Sequence, residues 1–294
     1  AIALVGCSPQ ANTQPASSTL HVLAVESFLG DLTRQVAGER AVVETLIPDG
    51  LDPHAFTPAP ADVARISDAQ LLVVNGAGLE EWLQETLNNA GGERLVIEAS
   101  AGLESRTPQS GEVVEEHGHG DPHFWLDPTL AVRYVENIRD GLIQADPAGK
   151  EIYTRNAEAY IAQLTELDSW IQSEVAQIAP EKRLIVTNHE SFGYYADRYG
   201  FRVIGTIVPS VSTGAAPSAQ QLADLIDAIR ANGVTAIFLE TGSNPNLADQ
   251  IAAETGVTVV SDLYTHSLTS ASGPAPSYLE MMRYNTNRIV NVLK

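Results

Sequence analysis

The stretch that decides the architecture is Tyr160-Ile161-Ala162-Gln163-Leu164-Thr165-Glu166-Leu167-Asp168-Ser169-Trp170-Ile171-Gln172-Ser173-Glu174-Val175-Ala176-Gln177-Ile178-Ala179-Pro180. Tyr160, Leu164, Leu167, Ile171, Val175 and Ile178 recur at steps of 4, 3, 4, 4 and 3, which is one face of an α-helix. Upstream, Asp146-Pro147 predicts an N-cap followed by proline at the first helical position, and Pro180 stops the pattern. A helix of about 32 residues would run about 48 Å, long enough to cross two lobes. Its rigidity predicts little movement between them.

Short β-branched runs alternate with helical patterns on both sides of that helix. The first half offers strands at Leu20–Val25, Val42–Ile47, Leu71–Asn75 and Leu95–Glu98; the second offers Leu184–Thr187, Val203–Ile207, Thr235–Glu240 and Val257–Ser261. Helices with marked ends lie between them: Ser218 precedes the apolar-periodic run 219–231, and Gly233 follows it as a C-cap. Strands separated by helices imply parallel sheets. The expected fold is α/β, with two similar lobes, each a mainly parallel four-stranded sheet flanked by helices. The expected limits are 20–145 for the N-terminal lobe, 146–180 for the bridging helix and 181–294 for the C-terminal lobe.

Length agrees, since 294 residues correspond to two domains at roughly 150 residues each. With 17 basic and 37 acidic residues the net charge is −20, a surface that repels phosphate backbones and attracts cations. Nucleic acid is therefore excluded as a partner. The single cysteine, Cys7, leaves no intrachain disulfide and no cysteine-based zinc module. No apolar run approaches the ~18 residues of a membrane-spanning helix.

Residues 1–19 read differently from the rest. Leu4-Val5-Gly6-Cys7 ends an apolar run and precedes a Pro- and Ser-rich tether. The tetrapeptide resembles the bacterial lipobox, so the run reads as the end of a signal peptide and Cys7 as the acylated residue. The membrane would then be met only through this lipid anchor. The folded part would lie outside the cytoplasmic membrane, in a periplasm or on the outer cell surface.

Seven histidines are present, and four have informative settings. His54 and His123 each end an Asp-Pro-His tripeptide, Asp52-Pro53-His54 and Asp121-Pro122-His123. Proline stiffens each loop, and the aspartate could accept a ring N–H and fix the tautomer of a metal ligand. His189 and His266 both fall just past expected strand ends, on the side where open α/β sheets bind ligands. Two imidazoles from each lobe could converge in the cleft as a tetrahedral set, with metal–nitrogen distances of about 2.0–2.1 Å for zinc. His21 heads a strand and reads as structural. His117 and His119 lie in an acidic, exposed segment, 105–122, where they could collect metal weakly or only solvate the loop. Glu190 and Glu240 could support the ligands or be ordinary solvated or capping charges. Gly76-Ala77-Gly78 begins a dinucleotide fingerprint, but Glu81 occupies the third glycine position, so a tight turn is expected. Trp82, Trp125 and Trp170 read as core.

Several segments together resemble a known family. They are Leu51-Asp52-Pro53-His54-Ala55-Phe56-Thr57-Pro58, Val74-Asn75-Gly76-Ala77-Gly78-Leu79-Glu80-Glu81-Trp82-Leu83 and Asp121-Pro122-His123-Phe124-Trp125-Leu126-Asp127-Pro128. Val186-Thr187-Asn188-His189-Glu190-Ser191-Phe192-Gly193-Tyr194 and Tyr264-Thr265-His266-Ser267-Leu268 complete the pattern, with Tyr278 to Asn285 downstream. After Leu20 the chain resembles throughout the zinc- and manganese-binding lipoproteins of bacterial ABC importers. The resemblance implies two α/β lobes, a bridging helix, a metal clamped between lobes and delivery to an ABC permease; a monomer without enzymatic activity is expected. His54, His123 and His189 match its first three ligands. The fourth position, usually aspartate, is His266 here, with Asp262 as the alternative.

Four imidazoles without a carboxylate argue against manganese, which suits carboxylate ligands, whereas imidazole suits zinc, copper, nickel or iron; zinc is the choice among these. Zn2+ is thus the expected ion, with Mn2+ or Fe2+ as alternatives. Two other classes stay open: a metal-dependent surface adhesin and a zinc hydrolase. A hydrolase keeps one metal position open for water, whereas four candidate ligands fill all of them.

Overall fold

The computed structural model describes residues 19–107, 120–214 and 216–294. The first half contains β1 (Leu20–Ala24), α1 (Ser27–Ala37), β2 (Ala41–Thr45), α2 (Pro60–Asp68), β3 (Leu71–Val74), α3 (Leu83–Ala90), β4 (Leu95–Glu98) and α4 (Pro128–Ala145). Then come α5 (Lys150–Val175), β5 (Leu184–Thr187), α6 (Gly193–Tyr199), β6 (Arg202–Thr206), α7 (Ala219–Asn232), β7 (Ala236–Glu240), α8 (Asn246–Thr255), β8 (Thr258–Leu263) and α9 (Tyr278–Leu293). Every strand end lies within two residues of the run expected from the sequence. Two all-parallel sheets result, in the orders β2-β1-β3-β4 and β6-β5-β7-β8.

The strand sequences explain their places. Leu71-Leu72-Val73-Val74, Leu184-Ile185-Val186-Thr187 and Ala236-Ile237-Phe238-Leu239-Glu240 are buried at every residue, as the inner strands of a sheet covered on both faces must be. At the edges, β2 and β4 show partly exposed residues in alternation. Both sheets reverse their strand order at an inner pair, β1/β3 in one and β5/β7 in the other. Chain connections leave each pair in opposite directions, which opens a crevice beyond the carboxyl ends of those strands. The two crevices hold the site described below.

The bridging helix is shorter than the sequence suggests. Asp146 both ends α4, its N–H bonding to the Leu142 carbonyl, and is the N-cap position before Pro147, where a 3-10 turn leads straight into α5. The carboxylate accepts from Arg40 Nε and Nη2 and from Tyr153 O–H rather than capping a helix. Pro147–Gly149 forms a 3-10 turn, and α5 proper spans 26 residues, about 39 Å at 1.5 Å per residue. The expected face is buried as a stripe from Tyr153 to Val175.

One apolar cluster runs from Leu20 and Phe28 through α4 and α5 to Tyr195, Met281 and Leu293, so core from the two halves is continuous. The chain after β8 crosses back to the first half. Leu268 N–H donates to Ser27 Oγ, Tyr278 N–H to Asp31 Oδ2, and Trp125 Nε1–H to the Thr265 carbonyl. No described helix is long and apolar enough to cross a membrane.

Asp168, on the buried stripe, ties α5 to the second half. It accepts from Arg198 at 2.9 and 2.6 Å and from Tyr199 O–H at 3.0 Å. Burial pushes this carboxyl up, but the Arg198 and Tyr199 bonds hold it below the usual range. Charge-assisted bonds of this kind contribute a few kcal/mol at most, so Asp168→Ala is expected to cost about 2 kcal/mol in urea unfolding. Because the folded pKa is the lower one, the cost is fully present at neutral pH. It should shrink only as pH falls below about 4.

Candidate metal centre

Each of the four histidines leaves a different strand. His54 follows β2, His189 follows β5, His266 follows β8, and His123 lies between β4 and α4. Both Asp-Pro-His tripeptides form the same turn: Asp52 Oδ1 accepts the His54 N–H at 2.9 Å, and Asp121 Oδ1 accepts the His123 N–H at 3.0 Å. In the second, Asp121 Oδ1 also lies 2.8 Å from His123 Nδ1. Asp52 instead directs its other oxygen to the Thr213 hydroxyl, linking the His54 loop to the second half.

The carbonyl preceding three of the histidines is held by a distant side chain. Trp82 Nε1–H donates to the Pro53 carbonyl at 2.9 Å, Asn75 Nδ2–H to that of Pro122 at 3.2 Å, and Trp125 Nε1–H to that of Thr265 at 2.7 Å. Trp82 and Trp125 are therefore more than core filling. Asn75 is fixed in turn by Tyr134 O–H at 2.5 Å. It begins the expected tight turn, where Gly76, Ala77 and Gly78 all take positive φ and Glu80 accepts the N–H groups of Asn75 and Gly76. Asn285 on α9 both accepts the Tyr264 N–H and donates to its carbonyl, steadying the approach to His266.

These supports bring the ligand atoms of His54, His123, His189 and His266 within 4.8 Å of one another. His123 Nε2 lies 3.3 Å from His54 Nε2, 3.3 Å from His189 Nε2 and 3.2 Å from His266 Nε2. A tetrahedron with metal–nitrogen bonds of about 2.0–2.1 Å has edges of about 3.3–3.4 Å. In a square plane one of the three separations would be a diagonal of about 4 Å. The near-equality of all three fits the tetrahedral set.

His123 and His189 are fully buried and His266 nearly so, while His54 is half-buried. Burial drives His54 down to about 2, with repulsion from His266 and His189 adding to it, and puts His123 well below the imidazole range. Both are neutral at physiological pH, the form that ligates metal. Glu240, at the end of β7, lies 2.8 Å from His189 Nδ1 through Oε1 and 3.1 Å from His266 Nδ1 through Oε2. Burial opposes its ionisation, but His189 and His266 outweigh this and hold it well below the carboxylate range. Burial likewise lowers His189, and Glu240 reverses the shift to a net rise.

Asp262, the alternative fourth ligand, is engaged elsewhere. It accepts from Tyr284 O–H at 2.7 Å and Arg288 Nε at 3.0 Å and is not in the cluster. The cause is strand alternation and the bulge pairing Glu240 with Leu263, after which the chain turns towards Thr265 and His266. His21 is exposed on β1, its N–H bonded to Gln70 Oε1. His117, His119 and Cys7 lie outside the described residues. A cavity of about 570 Å³ adjoins His189, His266 and Glu240, walled by Asp52, Thr213 and Leu247. At its edge the two halves touch, where a Cβ on Gly242 would come 3.3 Å from the Gly50 carbonyl oxygen.

The family model described as "Zinc-uptake complex component A periplasmic", ZnuA, matches residues 22–292. The chain belongs to the ZnuA family. It is similar to the manganese-binding lipoprotein MntA of Halalkalibacterium halodurans, with 34% identity over 100% of this chain and 95% of the relative. It is also similar to the iron-binding protein YfeA of Yersinia pestis, at 30% identity over 97% of this chain and 91% of that one. Among solved structures, the Mn-bound periplasmic metal-binding protein of Candidatus Liberibacter asiaticus superposes with TM-score 0.83 and 29% identity, covering 94% of this chain and 100% of its own. The periplasmic zinc-binding protein TroA of Treponema pallidum gives TM-score 0.85 at 27% identity, covering 94% and 99%. These ZnuA-family relatives are named for metal binding and not for catalysis.

The support of Pro53 by Trp82 and the engagement of Asp262 on α9 give two expectations, both readable by calorimetric metal titration. Trp82→Phe keeps an aromatic side chain but loses the indole N–H bond to Pro53, about 1 kcal/mol, so affinity should fall roughly fivefold. Unchanged affinity would reduce Trp82 to packing. Asp262→Asn should leave affinity as it was.

Proposed function

We propose that this ZnuA-family chain captures a divalent transition metal, zinc by preference, outside the cytoplasmic membrane and hands it to an ABC permease. His54, His123, His189 and His266 act as the ligands in this reading. The observation that carries it is the set of three near-equal Nε2 separations, 3.2–3.3 Å, around His123. All-nitrogen donors at tetrahedral spacing suit zinc, whereas manganese prefers more oxygen and higher coordination, and square-planar copper would need the set to flatten. The names of the relatives, which include manganese and iron, make those ions the competing reading for the cargo. Anchoring through an acylated Cys7 and action as a monomer belong to the same proposal.

With four ligands present no position is left for an activated water, which argues for a carrier and against a hydrolase. A structural metal, as an adhesin would use, predicts unfolding when the ion is removed. The continuous apolar core predicts instead that the stripped protein stays folded.

Metal-stripped protein dialysed against equal low concentrations of zinc, manganese, iron and copper should retain one equivalent of zinc and exclude manganese. Dominant manganese or iron would overturn the zinc preference. His266→Ala should weaken zinc binding by 100-fold or more in a chelator competition, in order-of-magnitude terms for one lost ligand. A variant that bound as tightly as the parent would remove His266 from the site.

A further inference from the structure

The nitrogen that binds metal in each ring is Nε2, so its partner Nδ1 must carry the proton. His123 has Asp121 for that purpose. In the second half a single carboxylate, that of Glu240, stands between the two rings. Its Oε1 lies 2.8 Å from His189 Nδ1 and its Oε2 3.1 Å from His266 Nδ1. Their rings are correspondingly near parallel, at 22°, while the other histidine pairs cross at 54° to 83°.

The neighbours of those nitrogens pull the other way. Asn188 Nδ2, a donor, lies 3.2 Å from His189 Nδ1, and its Oδ1 is already committed to the Glu240 N–H. The Thr265 hydroxyl lies 2.9 Å from His266 Nδ1 and can donate to it. Without Glu240, His189 would find a donor at Nδ1 and turn a protonated Nε2 towards the metal, while His266 would meet a hydroxyl that can donate or accept and fixes neither tautomer. A carboxylate only accepts, so it decides both tautomers at once. Ser191 O–H donates to Oε1 at 3.1 Å and holds the carboxylate in place.

Taking the four histidines as the ligands, as proposed above, we propose that Glu240 is the positioning residue that makes two of them competent. It fixes His189 and His266 as Nδ1–H imidazoles and adds, beside Asp121 at His123, a buried negative charge that this ligand set lacks. The role is specific to a site with histidine in the fourth position, because four neutral imidazoles leave the ion's double charge otherwise uncompensated. The site then takes a soft or borderline divalent cation through nitrogen while keeping a carboxylate one ring away.

The test uses the full chain and Glu240→Gln, which preserves shape. Its amide oxygen accepts from one ring, and its NH2 donates to the other. Removing such a partner typically weakens metal binding about 10- to 100-fold. Zinc affinity by chelator competition should therefore fall in that range. In the metal-free protein, ring 15N shifts should move His189 or His266 from the Nδ1–H to the Nε2–H form. A merely structural role would not move that signature. Glu240→Asp, which keeps charge and acceptors, should recover part of the affinity, and Ser191→Ala should change it less than threefold. Unchanged tautomers, or a Glu240→Gln affinity within twofold of the parent, would overturn the role of Glu240. His189→Ala separates this from a failure of the ligand reading: if that variant also binds zinc normally, the ligands are wrong; if it alone loses zinc, only Glu240 is.

Discussion

The constraint on which everything else depends is the convergence of four imidazole nitrogens on one point. Lone pairs aimed at each other across 3.2–3.3 Å repel, and the rings themselves supply nothing to offset it. The scaffold must hold them from behind. It does so with carboxylates at Nδ1, from Asp121 and Glu240, and with indole and amide donors on the preceding carbonyls. A cation at the centre turns the same geometry from repulsive to attractive, so the protein stores order that the ion then uses.

Such pre-organisation requires the two halves to keep their relation. The apolar cluster shared by both, the return of the chain from Thr265 to Tyr278, and the clamp of Asp168 on Arg198 all act at that junction. The two sheets also treat their switch points differently. At β5/β7 the carboxylate of Glu240 meets imidazoles. At β1/β3, buried Glu26 faces Glu80, where burial first and mutual repulsion next raise Glu26 well above its usual range, while burial raises Glu80 to about 7. Acid against acid holds a proton there, whereas acid against imidazole leaves the carboxylate ionised.

Much of this was legible in the sequence, for identifiable reasons. Parallel strands buried on both faces are continuous apolar runs, so β3, β5 and β7 announce themselves. Prolines and caps bound the helices, and histidines just past strand ends point to the crevice. What was not legible has one cause: local patterns do not say which neighbour a side chain serves. Asp146-Pro147 does start the bridging helix, but the Asp146 side chain serves Arg40 and Tyr153 and makes no cap bond. Asp262 is only four residues from His266, but it turns to Tyr284 and Arg288 on α9. Trp82 and Trp125 look like core because a sequence does not show that Pro53 and Thr265 present carbonyls to them. Glu240 was visible as an acid at a strand end; that it spans two rings depends on a contact over 51 residues to His189 and 26 to His266.

Fold membership does not choose the ion. A manganese-bound structure and a zinc-binding one superpose on this chain almost equally well, at TM-scores of 0.83 and 0.85. Discrimination must come from the donor atoms and from how far they can move. Manganese would ask this site for oxygen ligands and a wider coordination sphere, and copper for a flattened one. Flattening would have to draw one nitrogen away from His123 Nε2, from 3.2–3.3 Å towards about 4 Å. Three of the four rings are tethered at Nδ1 by carboxylates, and two of those share a single one. Moving His189 relative to His266 therefore breaks a bond to Glu240 in either direction. In the proposed site, the stiffness that fixes the tautomers would also resist the distortion a competing ion needs, so affinity and selectivity would have the same physical source.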